Sequence, residues 1–303
     1  LRTGSHGFMG NGTFRGGGTG GVVEEFDWDG EIVWTFEYSN DKHLLHHDIA
    51  PMPNGNVLMV AWERKTRDEA IAAGRDPSEV NESGLWPDHV IEVKPKYPSG
   101  GDIVWEWHVW DHVIQDRYPS KPNYAEISDK PERININRSD WVAALSGEQR
   151  EQLQAVGYLG GGKPEPGRPD IARGPFGGGP GFGPETKADW NHSNAIAYNA
   201  ALDQIALSVL GFNELWIIDH RTTTEEARGS AGGRYGKGGD LLYRWGNPGA
   251  YGGTGEQTLF AQHNVHWIAE GYSGAGHVLL FNNGRGRPEG DYSTADEIAL
   301  PID

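Results

Sequence analysis

Three histidines stand at corresponding places in three segments of the chain. The segments are Leu45-His46-His47-Asp48-Ile49, Asp189-Trp190-Asn191-His192-Ser193-Asn194 and Ala261-Gln262-His263-Asn264-Val265-His266. An imidazole can attack an electrophile and carry the transferred group covalently. It can move protons near neutral pH, or bind a transition metal. No local His-Glu-x-x-His spacing accompanies these residues, so the metal use rests only on His47, His192 and His263 meeting in space. A repeated structural histidine, bonded to a backbone carbonyl, is the competing reading. The residues around the three differ, whereas a purely structural repeat tends to keep its partners.

The elements that must position them repeat as well. Each histidine segment is followed by an apolar stretch, a turn and a second apolar stretch: Val57 to Trp62, Gln204 to Val209 and Val278 to Phe281. Two units add a third strand, Asp88 to Val93 and Glu214 to Asp219, then a fourth opening on Gly101-Asp102-Ile103-Val104-Trp105 or Gly239-Asp240-Leu241-Leu242-Tyr243. An earlier copy, Gly30-Glu31-Ile32-Val33-Trp34, closes a first, partial unit. A repeated four-strand unit is the signature of a β-propeller, whose inner strands converge on a channel. The expectation is a single all-β domain over residues 1–303, with the three histidines facing one another. Leu1-Arg2-Thr3 and Leu300-Pro301-Ile302-Asp303 read as pieces of strands, so a portion of a longer chain is expected.

Hairpin signals punctuate the units. Asp29-Gly30 reads as a two-residue turn, and Asn54-Gly55 as a type I′ turn. Residues 65–87 hold a short helical run, Arg67 to Ala73, closed by Gly74. A larger insertion, about 113–188, holds a capping box at Ser146-Gly147-Glu148-Gln149 that predicts a helix over 147–156. A Gly/Pro-rich stretch, 160–184, follows. Residues 5–21 are glycine-rich but lack Gly-Lys-Ser/Thr, which favours a loop over a phosphate cradle.

Composition narrows the function classes. The 303 residues are 36% hydrophobic and 23% charged, as in a water-soluble globular protein, and no apolar run is long enough to span a bilayer. A net charge of −17 without a Lys/Arg cluster argues against nucleic acid. The absence of cysteine excludes disulfides, thiolate metal sites and thiol nucleophiles. Among the 12 tryptophans, Trp34, Trp105 and Trp245 fall on fourth strands and are expected to pack between units. Trp190 and Trp267 adjoin leading histidines and are candidate pocket walls. His43, His46 and His266 lie near the expected centre; His108 and His112 lie near a strand end. Arg285 and Arg287, with Asn282 and Asn283, follow the third hairpin and can steady an anion.

His46-His47-Asp48-Ile49 with Pro53-Asn54-Gly55-Asn56-Val57-Leu58, Asp189-Trp190-Asn191-His192-Ser193-Asn194-Ala195-Ile196, and Gln262-His263 with Leu280-Phe281-Asn282-Asn283-Gly284 together resemble bacterial arylsulfotransferases, the PAPS-independent enzymes and their relatives. The resemblance implies a six-bladed propeller in a periplasmic or extracellular protein. It also implies sulfuryl transfer from a phenolic sulfate to another phenol, a small aromatic substrate, through a histidine. Carried over by motif, His263 is the nucleophile, and His47 and His192 are supporting donors or acid/base groups. Arg285, Asn283, Trp190, Trp267 and His266 are candidate substrate contacts, and no cofactor is required. The family's arginine is missing: its place on the strand after the Asp-Trp-x-His motif holds Leu210. A metal-dependent lyase, hydrolase or oxidase with a divalent or transition metal on the three histidines, and a non-catalytic binding propeller, stay open.

Overall fold

In the computed structural model residues 2–5, 11–14, 18–138, 188–290 and 292–301 are described. The chain is predominantly β. A three-stranded sheet holds β1 (Arg2–Ser5), β2 (Gly21–Phe26) and β3 (Ile32–Glu37). A four-stranded sheet holds β4 (His43–Pro51), β5 (Val57–Glu63), β6 (Asp88–Pro95) and β7 (Gly101–His108). After the short parallel pair β8 (Val113–Ile114) and β9 (Ile134–Asn135) comes a second four-stranded sheet. It holds β10 (Ser193–Asn199), β11 (Gln204–Val209), β12 (Glu214–Asp219) and β13 (Tyr243–Trp245). A three-stranded sheet of β14 (His263–Trp267), β15 (Val278–Asn282) and β16 (Thr294–Ile298) closes the series. Within each of these four sheets every strand pairs antiparallel with its neighbour in sequence.

Alternation along the strands explains how the sheets stack. Val57, Met59 and Ala61 of β5 pack with Val23, Trp34 and Phe36 of the first sheet. Leu58 and Val60, on the opposite face, join Ile205, Leu207, Val209 and Trp216 of the third. That sheet's other face, Ala206, Leu215 and Ile217, meets Val265, Val278 and Leu280 of the fourth. The middle strands are therefore buried on both faces, which is why β5, β11 and β12 read as unbroken apolar runs rather than alternating ones. Each fully buried Leu, Val or Ile contributes roughly 1.5–3 kcal/mol. Trp34, Trp105 and Trp245 all pack in these clusters, as expected. The stacking brings first strands together: β10 lies against both β4 and β14.

Three local expectations are corrected. The turn at Asn54-Gly55 is not type I′, because only Gly55 takes positive φ (84°). Asn54 Oδ1 instead accepts the Asn56 N–H at 2.9 Å, and Met52 N–H bonds Asn56 O, which makes a longer loop with one left-handed residue. The Asp29-Gly30 turn likewise spans Asp27 to Glu31, since Asp27 Oδ1 accepts from the N–H groups of Asp29 and Glu31. The fourth strand of the later unit begins at Tyr243, not Gly239. Asp240 is drawn away by His112 (2.8 Å) and Arg133 (3.4 Å), and Leu241 N–H by Glu132 O.

Helix α1 (Arg67–Ala72) starts on the Thr66–Glu69 capping box and is followed by Gly74 at φ +94°. A second helix, α2 (Thr224–Ala227), has the same box from Thr223 and Glu226. That Thr-x-x-Glu signal is legible in the sequence at both helices, although the first was expected from its helical run alone and the second not at all. The helix expected at 147–156 and the Gly/Pro stretch at 160–184 lie outside the described residues. Among the described residues no helix is long and apolar enough to cross a membrane.

Leu207, on the double-faced β11, is 1% exposed, and Ile103, on the outer β7, is 37% exposed. Leu207→Ala is expected to lower unfolding free energy in urea by about 2–5 kcal/mol. Ile103→Ala should stay within about 0.5 kcal/mol. Equal costs at the two sites would contradict the stacking described.

Candidate active site

The first strands carry the histidines on distorted backbone. His47 and His192 both adopt positive φ, 55° and 52°. For a residue with a Cβ this conformation costs of order 1–3 kcal/mol and persists only where the surroundings enforce it. His47 falls in the register shift between Leu45 and Ile49 of β4; His192 immediately precedes the shift between Ser193 and Ala195 of β10. In β14 the shift lies between His263 and His266, and Ala261 and Asn264 take the positive φ. Bulges of this kind re-aim side chains out of the sheet's regular alternation. Gly18 covers the first site: its carbonyl accepts the His47 N–H at 2.7 Å. A Cβ on Gly18 would lie 2.3–2.4 Å from the His47 ring.

The rings then meet. His47 and His192 are 4.5 Å apart, centroid to centroid, at an interplanar angle of 75°. His47 Nδ1 is 2.8 Å from His46 Nδ1, and His46 stacks on Trp62 at 4.1 Å. His192 Nδ1 is 2.5 Å from Asp189 Oδ2, and Asp189 Oδ1 accepts the Trp62 Nε1–H at 2.9 Å. His46 Nε2 faces Asp88 Oδ1 at 3.2 Å, and Asp88 Oδ2 accepts the Ser193 N–H at 2.6 Å. His263 lies on the far side of His192 from the sequence's point of view, yet within electrostatic reach of it and of His47. Its Nδ1 is 3.1 Å from Ala261 O and 2.8 Å from Asn283 Nδ2.

Environment separates the three imidazoles in protonation. Burial, then the neighbouring His192, His46 and His263, holds His47 well below the ordinary 6.5. Burial also lowers His263; its bond to Ala261 opposes this, while the charges of His192 and Arg285 add to it. His192 is equally buried, but the Asp189 carboxylate beside it outweighs desolvation and raises it. The set thus joins one ring pushed toward its charged form to two pushed toward their neutral forms.

The structure puts the rings of His47 and His192 in contact and Asn283 on His263; His263 is within electrostatic range of both other histidines and of Arg285. It does not bring the others. Trp190 is 1% exposed, buried in the core against Phe212 with its N–H on Arg138 O, so it is a packing residue and lines no pocket. Trp267 lies at the opposite end of β14, packed on the third cluster, and His266 is exposed and bonded to Asn264 O. Asn282 is buried, closing the loop by bonds to Phe260 N–H, Thr258 O and Asp296. Arg287 is occupied by Thr294 and by the rings of Phe260 and Tyr292. His112 is a buried structural residue bonded to Asp240 and Ala227 O. His43 and His108 line a separate cavity of about 560 Å³ together with His89 and Glu63. Leu210, in the place of the family's arginine, is 7% exposed and donates its N–H to His192 O. Among the described residues no group of three or more His, Asp or Glu side chains has metal-holding geometry, so the arrangement gives the three-histidine metal reading no support.

Asp88, Asp189, Trp62 and Gly18 are the residues that sequence reasoning passed over. Asp189 could have been found from its place three residues before His192. Asp88 could not, since nothing in a strand-opening aspartate tells that it reaches two other strands.

The family model described as arylsulfotransferase (ASST) matches residues 4–299 of the chain. No curated protein matches it.

Because the folded-state value of His192 is raised, its protonation stabilises the fold fully below 6.5 and the contribution fades as pH rises through that raised value. Asp189→Asn removes the main influence that raises His192 and leaves desolvation opposed only by the charge of Asp88, so the His192 midpoint followed by NMR should fall. The variant's stability deficit, on the order of 1–3 kcal/mol, should be largest in acid. An unmoved midpoint would show that Asp189 does not set the charge.

Proposed function

The chain belongs to the arylsulfotransferase family, and from that premise we propose that it transfers a sulfuryl group between phenolic compounds, with His263 carrying the group. The observation that supports this most is the contact of His47 and His192 at 4.5 Å with the Asp189 carboxylate on His192 alone of the two, an arrangement that pushes His192 toward its charged form and leaves His47 and His263 pushed toward neutrality. The stacked sheets, with their first strands side by side, support reading the fold as a β-propeller, six-bladed in this family, whose first strands line a channel. The family resemblance also supports reading the protein as periplasmic or extracellular.

The chemistry follows from the protonation states. An aryl sulfate presents an electrophilic sulfur surrounded by anionic oxygens. His263 Nδ1 meets both Ala261 O and the Asn283 amide nitrogen; in the tautomer that shares an Nδ1 hydrogen with Ala261 O, the Nε2 lone pair is free. That lone pair attacks sulfur, the S–O bond to the aryl group breaks, and its electron pair leaves on the phenolate oxygen. The His192 imidazolium gives that oxygen its proton. An acceptor phenol then loses its proton to neutral His47, its oxygen attacks sulfur, and the N–S pair returns to His263. His47 and His192 are adjacent, so the proton taken by one can restore the other. Arg285 and the His192 charge supply the positive field that the missing arginine provides elsewhere in the family.

Incubation with 4-nitrophenyl sulfate should release nitrophenol in a phenol-dependent manner. His263→Ala should lose about 10³-fold or more, and His47→Ala or His192→Ala about 10²–10⁴-fold. Denied an acceptor, the protein should gain the mass of one sulfuryl group, mapped to His263. The rate should be bell-shaped in pH, falling below 6.5 as His47 and His263 protonate and falling above it as His192 loses its proton. Phenol-dependent release that survives His263→Ala would overturn the assignment.

A further inference from the structure

His46 and His47 meet through the same nitrogen, Nδ1 to Nδ1 at 2.8 Å. Two ring nitrogens can bond only if one carries hydrogen and the other a lone pair, so the pair has a direction. The far end of His46 decides it. His46 Nε2 faces Asp88 Oδ1 at 3.2 Å, outside strict hydrogen-bond angles, and neither atom has another hydrogen-bond partner. Both residues are 1% exposed, where a lone pair set against a carboxylate would be strongly unfavourable. The proton of His46 therefore sits on Nε2. The carboxylate cannot turn away, because its other oxygen holds the Ser193 N–H at 2.6 Å. The His46 ring cannot turn either: it stacks on Trp62 at an interplanar angle of 13°, and Trp62 is itself held by Asp189.

We infer that Asp88 and His46 are positioning residues that fix the tautomer of His47, placing its proton on Nδ1 and its lone pair on Nε2 as the base for the acceptor phenol. With the assignment of His47 as that base, this rests on the function proposed above; the tautomer itself does not. When Nε2 takes the phenol's proton, the Nδ1 proton of His47 can pass to His46 Nδ1 and the Nε2 proton of His46 toward Asp88. Proton number is conserved, and the new positive charge lies against a carboxylate rather than on a ring buried beside other imidazoles. The relay thus offsets the desolvation that would otherwise make His47 a poor acceptor of protons.

Asp88→Asn is the discriminating variant. Its side-chain oxygen can keep the Ser193 bond while its amide donates to His46 Nε2, which reverses the direction of both rings. Long-range ¹⁵N–¹H correlation spectra should show His47 protonated on Nδ1 in the wild type and on Nε2 in Asp88→Asn. His46→Asn, which removes the link, should leave His47 a mixture of both forms. This readout needs no turnover, so a wild type inactive on aryl sulfates would sink the proposed function while the spectra still decide the tautomer. In an active wild type, Asp88→Asn should lower transfer to phenol by about 10²–10⁴-fold. The deficit should shrink sharply with pentafluorophenol, which reaches the site already ionised. A uniform loss across acceptors would mean that Asp88 only holds the fold, and a His47 proton that stays on Nδ1 in both variants, or sits on Nε2 in the wild type, overturns the inference.

Discussion

Two buried carboxylates, exchanged between neighbouring sheets, hold the histidine cluster together. Asp88 opens β6 of one sheet yet binds Ser193 at the head of β10 in the next; Asp189 precedes β10 yet binds Trp62 on β5. Each also faces a histidine, Asp88 toward His46 and Asp189 toward His192. A buried carboxylate left without partners would cost several kcal/mol. Each aspartate is therefore satisfied only when both sheets are in register, which couples the assembly of the fold to the geometry of the site. The positive φ of His47 and His192 is tolerable for the same reason, since the strain falls where backbone and side chain are held from several directions.

The cluster also shows how a single residue type acquires different chemistry. All the rings are substantially buried, and burial alone would leave each neutral. Only His192 has a carboxylate at 2.5 Å on its own nitrogen, and only it is driven toward the charged form. His47 has a histidine in that position, and His263 a backbone carbonyl. What sits on one ring nitrogen therefore separates the ring pushed toward the charged form from those pushed toward neutrality. The replacement of the family's arginine by Leu210 fits this picture: that position is buried beside the His192 backbone, and positive charge enters from His192 and from Arg285.

Much of this was legible in residue order because the relevant signals are local. The strands Gln204–Val209 and Glu214–Asp219 fall where apolar runs between turn residues place them. The leading position of His47, His192 and His263 survives as adjacency because first strands of stacked sheets must lie side by side. The errors share one cause, a competing polar group. Asn54 and Asp27 capture backbone N–H groups and change their turns, and His112 captures Asp240 and delays β13. Trp190 looked like a pocket wall from its place two residues before His192, but both precede β10 and His192 takes positive φ, so strand alternation does not carry the two rings to one side, and the side Trp190 faces is the core.

What the sequence determined by itself was periodicity: which stretches become strands, in what order, and which histidine heads each unit. Those follow from hydrophobic spacing and turn chemistry, which act within a few residues. The tertiary structure alone decided which histidine is pushed toward its charged form, and that Asp88 reaches the cluster at all. Those properties depend on partners 105 and 127 residues away in the chain, and on a desolvation that exists only once the sheets have closed over them.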